Sequence, residues 1–224
     1  GITDRFDMFI TFEGGEGAGK SSQVELLGES IKAQGYDVEL LHEPGGTPLG
    51  EMVYSWISDP DSRVLKRLYS RWSQSTAAIN LDSLAELFLF ESARAQLVNQ
   101  VIKPALERGH VVICDRFSDS TLAYQGYGRG LEIDQVKKIN DIATNGLIPN
   151  LTILLDVPPE IGLQRTRGKN HRMENEGLLF HEKVRQGYHQ LSSEEPERFF
   201  ILDGTEDKQY IQSKIWERVS KELG

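Results

Sequence analysis

The apolar run Met8-Phe-Ile-Thr-Phe-Glu13 leads directly into Gly14-Gly15-Glu16-Gly17-Ala18-Gly19-Lys20-Ser21, and a helical pattern follows from Lys20 to Gln34. The eight residues fit G-x-x-x-x-G-K-[ST], and their place between a strand and a helix is the context that gives the pattern its meaning. Glycines let the backbone bend until successive N–H groups point inward at phosphate oxygens. The helix that opens there adds its positive end. Lys20 can reach the β- and γ-phosphates of a nucleotide, and the Ser21 hydroxyl can ligate Mg²⁺. Gly14, Gly15, Glu16, Gly17, Ala18, Gly19, Lys20, Ser21 and Ser22 are therefore the expected triphosphate cradle. Glu16 is an acid in a loop built for anions. It is expected either to face solvent or to turn away from the phosphates and accept a hydrogen bond from a second substrate, such as a sugar hydroxyl. Glu13, ending the strand, reads equally as a structural acid or as an outer partner of magnesium.

A strand–loop–helix start constrains the rest. Four further runs resemble the first: 37–43, 110–116, 151–157 and 198–203. They are rich in Val, Ile, Leu and Phe with little alternation, as strands covered on both faces are. Helical patterns fill 82–107, 132–144, 178–190 and 207–222, and Pro104 should kink the first of these or lie near its end. Alternation of this kind predicts an α/β fold with right-handed crossovers, a five-stranded parallel sheet flanked by helices. No repeat or linker divides the 224 residues, so one domain over 1–224 is expected. There is no transmembrane-length apolar run, and the first residues lack a signal-peptide core, which points to the cytoplasm. Cys114 stands alone, which excludes a disulfide framework within the chain.

The net charge of −9 argues against a nucleic-acid partner, which would want a basic surface. The charge is not spread evenly. Residues 63–81 and 164–173 each carry four Lys or Arg and no Asp or Glu. The first lies in an insertion, 58–81, and the second in a polar stretch, 165–177. Both are expected either to be solvated surface or to close over an anionic ligand.

Asp115-Arg116 ends the third apolar run. An acid at the carboxyl end of a neighbouring strand is where a phosphate-loop enzyme holds Mg²⁺ and its waters, and where ligands sit in open α/β sheets. Arg116 can clamp a phosphate with two N–H groups, or simply pair with Asp115. Phe90 and Arg94 are four apart on a helix and share a face, an arrangement that suits a flat, carbonyl-bearing ring; alone it would equally be core and snorkelled surface.

Taken together, FEGGEGAGKSSQ (12–23), EPGGTPLGE (43–51), ARAQL (93–97), VIKPAL (101–106), CDRFSDSTLAYQGYGRG (114–130), GLIPNLTILLDVPPEIGLQR (146–165) and HRMENEGLLFHEKVRQGY (171–188) resemble the thymidylate kinase family, bacterial type, over nearly the whole chain. The resemblance implies a P-loop kinase fold with a lid and a nucleoside-monophosphate-binding insertion. It implies phosphoryl transfer from ATP to dTMP, with Mg²⁺, in a homodimer packed near the 82–107 helix. Glu16 would hold the deoxyribose 3′-hydroxyl, Phe90 stack on thymine, Arg94 bond its O4, and Thr121 and Gln125 help read the base. Arg116 would bind the acceptor phosphate, and Ser21 and Asp115 the metal. Gly17 stands where another type of the family has Arg, so the lid should supply the catalytic arginine. Arg165 is expected nearest the adenine, with Arg167 or Arg172 serving the transferring phosphoryl. The chain departs from the family pattern at His42 and Tyr54, each in place of an Arg. Arg63, Lys66, Arg67 or Arg71 could replace the missing charge, or these residues could form an ordinary exposed helix. The alternatives are a kinase for another pyrimidine monophosphate and a P-loop ATPase switch without a small acceptor.

Overall fold

The computed structural model describes residues 7–58, 67, 81–167 and 172–223. Five strands form one parallel sheet: β1 (Met8–Glu13), β2 (Val38–His42), β3 (Val111–Asp115), β4 (Leu151–Asp156) and β5 (Phe199–Asp203), in the order β2-β3-β1-β4-β5. Each lies within one residue of its predicted bounds. β1 is central, with Phe9 opposite Val112 of β3 and Ile10 opposite Leu151 of β4. All six of its residues are buried, which is why the run does not alternate.

The helices supply both covers. On one face α1 (Lys20–Ala33) and α9 (Lys208–Leu223) pack Val24, Leu27, Ile31, Ile211 and Ile215 onto Ile10, Phe12, Ile113 and Ile153. The other face meets α3 (Ser83–Leu97), α6 (Ile133–Thr144) and α8 (Leu178–Glu194), with Phe9, Leu97, Val112 and Phe117 in one cluster and Leu87, Leu154, Tyr188 and Leu191 in another. Asp82 starts α3 by accepting from the Leu84 and Ala85 amides. Pro104 lies near the end of the predicted 82–107 helix, three residues before Glu107, as expected. The helix widens to π pitch over Val98–Ile102 and restarts as α4 (Lys103–Glu107), with Pro104 in its first turn, where a missing N–H costs nothing.

Three helical segments lie where the apolar periodicity named none: α2 (Pro48–Ser58), α5 (Ser118–Thr121) running into a π segment (Leu122–Gly128), and α7 (Pro159–Arg165). Two are very short, and the π pitch of 122–128 does not follow a 3.6-residue period. The insertion 58–81 lies outside the described residues except for Ser58, Arg67 and Leu81; Arg67 is exposed.

α7 positions the phosphate loop. Backbone packs on backbone, and a Cβ on Gly162 would lie far inside van der Waals contact with the Glu16 carbonyl oxygen. Gly162→Ala should therefore displace the loop and cost ~1–3 kcal/mol. A chain of this size shifts by about 2–4 °C per kcal/mol, so differential scanning calorimetry should show Tm lower by several degrees; an unchanged Tm would contradict this contact.

Candidate active site

The carboxyl ends of β1, β2 and β3 open into a cavity of about 850 Å³ that joins the phosphate loop to Phe90, Arg94, Thr121 and Gln125. That volume fits a ligand site of ordinary size. Glu16, Gly17, Ala18, Gly19, Lys20, Ser21, Ser22, Asp115 and Arg116 line it at the loop end. The nucleotide-cradle and base-pocket residues named from sequence, far apart in the chain, are thus brought together.

Gly14, Gly17 and Gly19 all have positive φ, which glycine adopts without a Cβ penalty. The Lys20 ammonium donates to the Gly14 and Gly15 carbonyls at 3.2 and 3.0 Å. Burial, then repulsion from Arg116, push its pKa down to about 8, against the pull of Asp115, Glu16 and Glu13. Ser21 Oγ donates to Asp115 Oδ2 at 3.0 Å. Asp115 therefore pairs with the loop serine and Arg116 with Glu16, so the Asp115–Arg116 ion pair that the sequence allowed does not form.

Arg116 has φ 69°, a left-handed backbone that costs a non-glycine residue roughly 1–2 kcal/mol. Its amide donates to the Phe12 carbonyl, and its guanidinium donates to the Gly14 carbonyl, Ser120 Oγ, Tyr188 Oη, Glu16 Oε1 and Tyr124 Oη, all at 3.0–3.3 Å. Charge-assisted bonds of about 1.5–3 kcal/mol each outweigh that strain. Burial pushes the Glu16 pKa up, but Arg116 and Lys20 pull harder, and it ends below the ordinary value. Glu16 thus stays ionised and faces the cavity, not open solvent.

Glu13 takes part in the packing of the site. It is fully buried and accepts from the Phe117 amide and Tyr188 Oη at 2.8 Å each, with Ser120 as a further donor. Its bonds hold the turn after β3; burial, then Asp119, push its pKa up.

Arg94 is 2% exposed. Its guanidinium donates to Glu43 and Glu91, to Thr121 Oγ1 and Asn140 Oδ1, and to the Phe117 carbonyl. Three of these bonds fall on Nη1, which has two hydrogens, and Glu43 Oε2 also lies 2.7 Å from Nη2. Arg94 lines the cavity and braces its wall through these bonds. Glu43, pushed up to about 7 by burial against the pull of Arg94, also lines the cavity.

The three lid arginines separate. Arg165 lines the cavity and donates to the Gly17 and Gly204 carbonyls at 3.2 and 3.1 Å. Arg167 is exposed and does not line the cavity. Arg172 does not line it either; it meets Glu86 at 3.1 Å. Residues 168–171 lie outside the described residues. His42 and Tyr54, where positive charge was missing, line the cavity with ring centroids 6.1 Å apart. Sequence reasoning missed Glu43, Ser120, Tyr124 and Tyr188 as cavity or Arg116 partners. Ser120 and Tyr124 sit beside Thr121 in one motif and were within reach of it; Tyr188 comes from a distant helix and carries no local signal.

A phosphate loop after the central strand, an acid ending the next strand, and one cavity joining both to an aromatic pocket define a P-loop kinase fold. The profile of the thymidylate kinase family matches residues 12–215, and the chain belongs to that family. It is 44% identical over 216 residues to the thymidylate kinase of Deinococcus radiodurans, covering 96% of this chain and 97% of that one. It is 47% identical over 208 residues to the thymidylate kinase of Desulfovibrio desulfuricans, covering 89% and 88%. The crystal structure of the thymidylate kinase from Ehrlichia chaffeensis superposes with TM-score 0.71 at 30% identity, over 96% of this chain and 98% of that one.

Lys20 gives the site a pH signature. Its folded pKa of about 8 lies below the ordinary 10.5, so between these values the ligand-free chain has lost a proton that the unfolded chain keeps. Stability therefore rises with pH across that window. A phosphate bound at Lys20 favours the ammonium and raises its pKa. Nucleotide affinity should then fall as pH rises through about 8, by at most about tenfold per pH unit. Calorimetry in two buffers of different ionisation heat should register proton uptake on binding; a flat affinity from about pH 7 to 10 would remove Lys20 from the phosphate site.

Proposed function

We propose that the protein transfers the γ-phosphoryl of ATP to dTMP, giving dTDP and ADP, with all of 1–224 forming one kinase domain whose lid spans 165–177. The observation that carries this is the single cavity with Lys20, Ser21 and Asp115 at one end and Phe90, Thr121 and Gln125 at the other, in a chain of this family.

ATP sits in the cradle from Gly14 to Ser22, with Lys20 on its terminal phosphates. Arg165, beside Gly17 and Gly204, is placed to pack against the adenosine end or to follow the lid onto the phosphates. Arg116 meets the acceptor phosphate. Glu16, ionised and reached by Arg116 and Tyr124, is placed to accept from a sugar hydroxyl. Phe90 offers a ring face to the base. In-line positioning and charge neutralisation are what phosphoryl transfer needs from a protein.

Ser21 Oγ and Asp115 Oδ2 fit Mg²⁺. They are hard oxygen donors 3.0 Å apart at the loop end, and among the described residues no cluster of three His, Cys, Asp or Glu competes for a metal. Magnesium normally takes one or two such groups and completes its shell with phosphates and water. When bound, it would offset charge on the β- and γ-phosphate oxygens.

Location in the cytoplasm fits a chain in whose described residues no helix is long and apolar enough to cross a membrane. Exposed Leu84 and Phe88 on α3 support a homodimer, while Leu87 and Leu97 of the same helix are core.

A coupled ADP-release assay across nucleoside monophosphates tests the reading. dTMP should be the best acceptor, and ADP release without an acceptor should be slower by at least about a hundredfold. Equal release with and without acceptor would instead favour an ATPase switch, and preference for CMP or UMP a different pyrimidine kinase.

A further inference from the structure

Glu86 is wholly buried on α3, four residues before Phe90 and eight before Arg94, so all three share a helix face. Its carboxylate collects donors from three places. Gln125 Nε2 reaches Oε1 at 3.0 Å, Arg129 Nε reaches Oε1 at 3.1 Å and its Nη2 reaches Oε2 at 3.3 Å, and Arg172 Nη2 lies 3.1 Å from Oε2. Arg129 in turn bonds Glu176 at 2.6 Å and covers the Phe180 ring. One carboxylate thus ties the base pocket to the described lid residues 172–176.

A carboxylate facing two guanidiniums can only accept. Gln125 must then turn its NH₂ toward Glu86, and its amide oxygen is the atom left for the cavity that it lines. Thr121 is polarised in the opposite sense. Its Oγ1 accepts from Arg94, which can only donate, so its hydroxyl hydrogen is left for the cavity. Thr121 and Gln125 are one helical turn apart. They present a donor beside an acceptor, the complement of a carbonyl next to a ring N–H. Thymine and uracil carry that edge; cytosine, with an amino group next to an unprotonated ring nitrogen, carries its reverse.

We propose that Glu86 is a positioning residue that sets base specificity, by holding the Gln125 amide oxygen toward the cavity while anchoring Arg172 and Arg129 of the lid side on the same carboxylate. This rests on the cavity being the acceptor-base site. Glu86 itself does not touch the base.

Glu86→Gln replaces an acceptor-only group by one acceptor and one donor of the same shape. Gln125 is then released to turn its NH₂ to the cavity. The ratio of kcat/KM for dTMP over dCMP should fall by about tenfold or more, chiefly through a higher KM for dTMP. A purely structural role would lower Tm and both kcat/KM values together and leave the ratio unchanged, which would overturn the proposal. In a Gln125→Leu background the Glu86→Gln change should move the ratio no further; a second fall of the same size would mean that Glu86 does not act through Gln125. If Glu86→Gln does not fold, Glu86→Asp carries the test: it keeps an acceptor-only group, so the preference should survive with a weaker KM, and its loss would refute the proposal. Wild-type turnover of dTMP separately decides the reading of the cavity, and a wild type that prefers dCMP would overturn both.

Discussion

The guanidinium of Arg116 donates at once to the phosphate loop at Gly14 and Glu16, to the turn at Ser120, to the base-side helix at Tyr124, and to α8 at Tyr188. The phosphate loop, the turn after β3 and the outer helix are held together by one side chain. The geometry demands a left-handed backbone at a residue with a Cβ, and the bonds repay that strain several times over. Removing one partner of such a buried charged set costs ~3–5 kcal/mol, because the remaining charge is left unpaired. These bonds hold the polar groups of the site in fixed directions, as electrostatic catalysis requires.

Charge is arranged in two shells around the cavity. Lys20, Arg116 and Arg165 face it at the loop end. Behind the base pocket stand two buried acid–base groups, Arg94 with Glu43 and Glu91, and Glu86 with Arg129 and Arg172. Desolvating such groups is costly, and they persist where their hydrogen bonds fix the direction of other polar groups. Here Arg94 bonds Thr121 and Glu86 bonds Gln125, two polar side chains that line the cavity.

The sheet was legible because its strands are buried on both faces and so leave unbroken apolar runs, correct to within one residue. The phosphate loop was legible because it is local: eight consecutive residues carry all its chemistry. Asp115 and Arg116 were legible from their position at a strand end, but not their partners. Arg94 read as a base-binding fork; what the sequence did not show is that folding surrounds it with protein acceptors from three other segments. Arg172 read as a candidate for the phosphoryl group and pairs with Glu86 across from the cavity. Glu86 itself carried no signal in the sequence, since nothing within a few residues of it reveals that two arginines from distant segments will converge there.

Local chemistry by itself thus determined the fold class, the nucleotide cradle and the identity of the polar groups at the site, because strand burial, glycine torsions and helix-end dipoles act over a few residues. Resemblance over the whole length pointed to the family. Only the tertiary structure decided which carboxylate meets which arginine, which of Arg165, Arg167 and Arg172 lies against the loop, and that Gln125 turns its NH₂ to Glu86. Those choices depend on hydrogen-bond donors and acceptors 27 to 148 residues apart, and the need to satisfy every buried one settles them together.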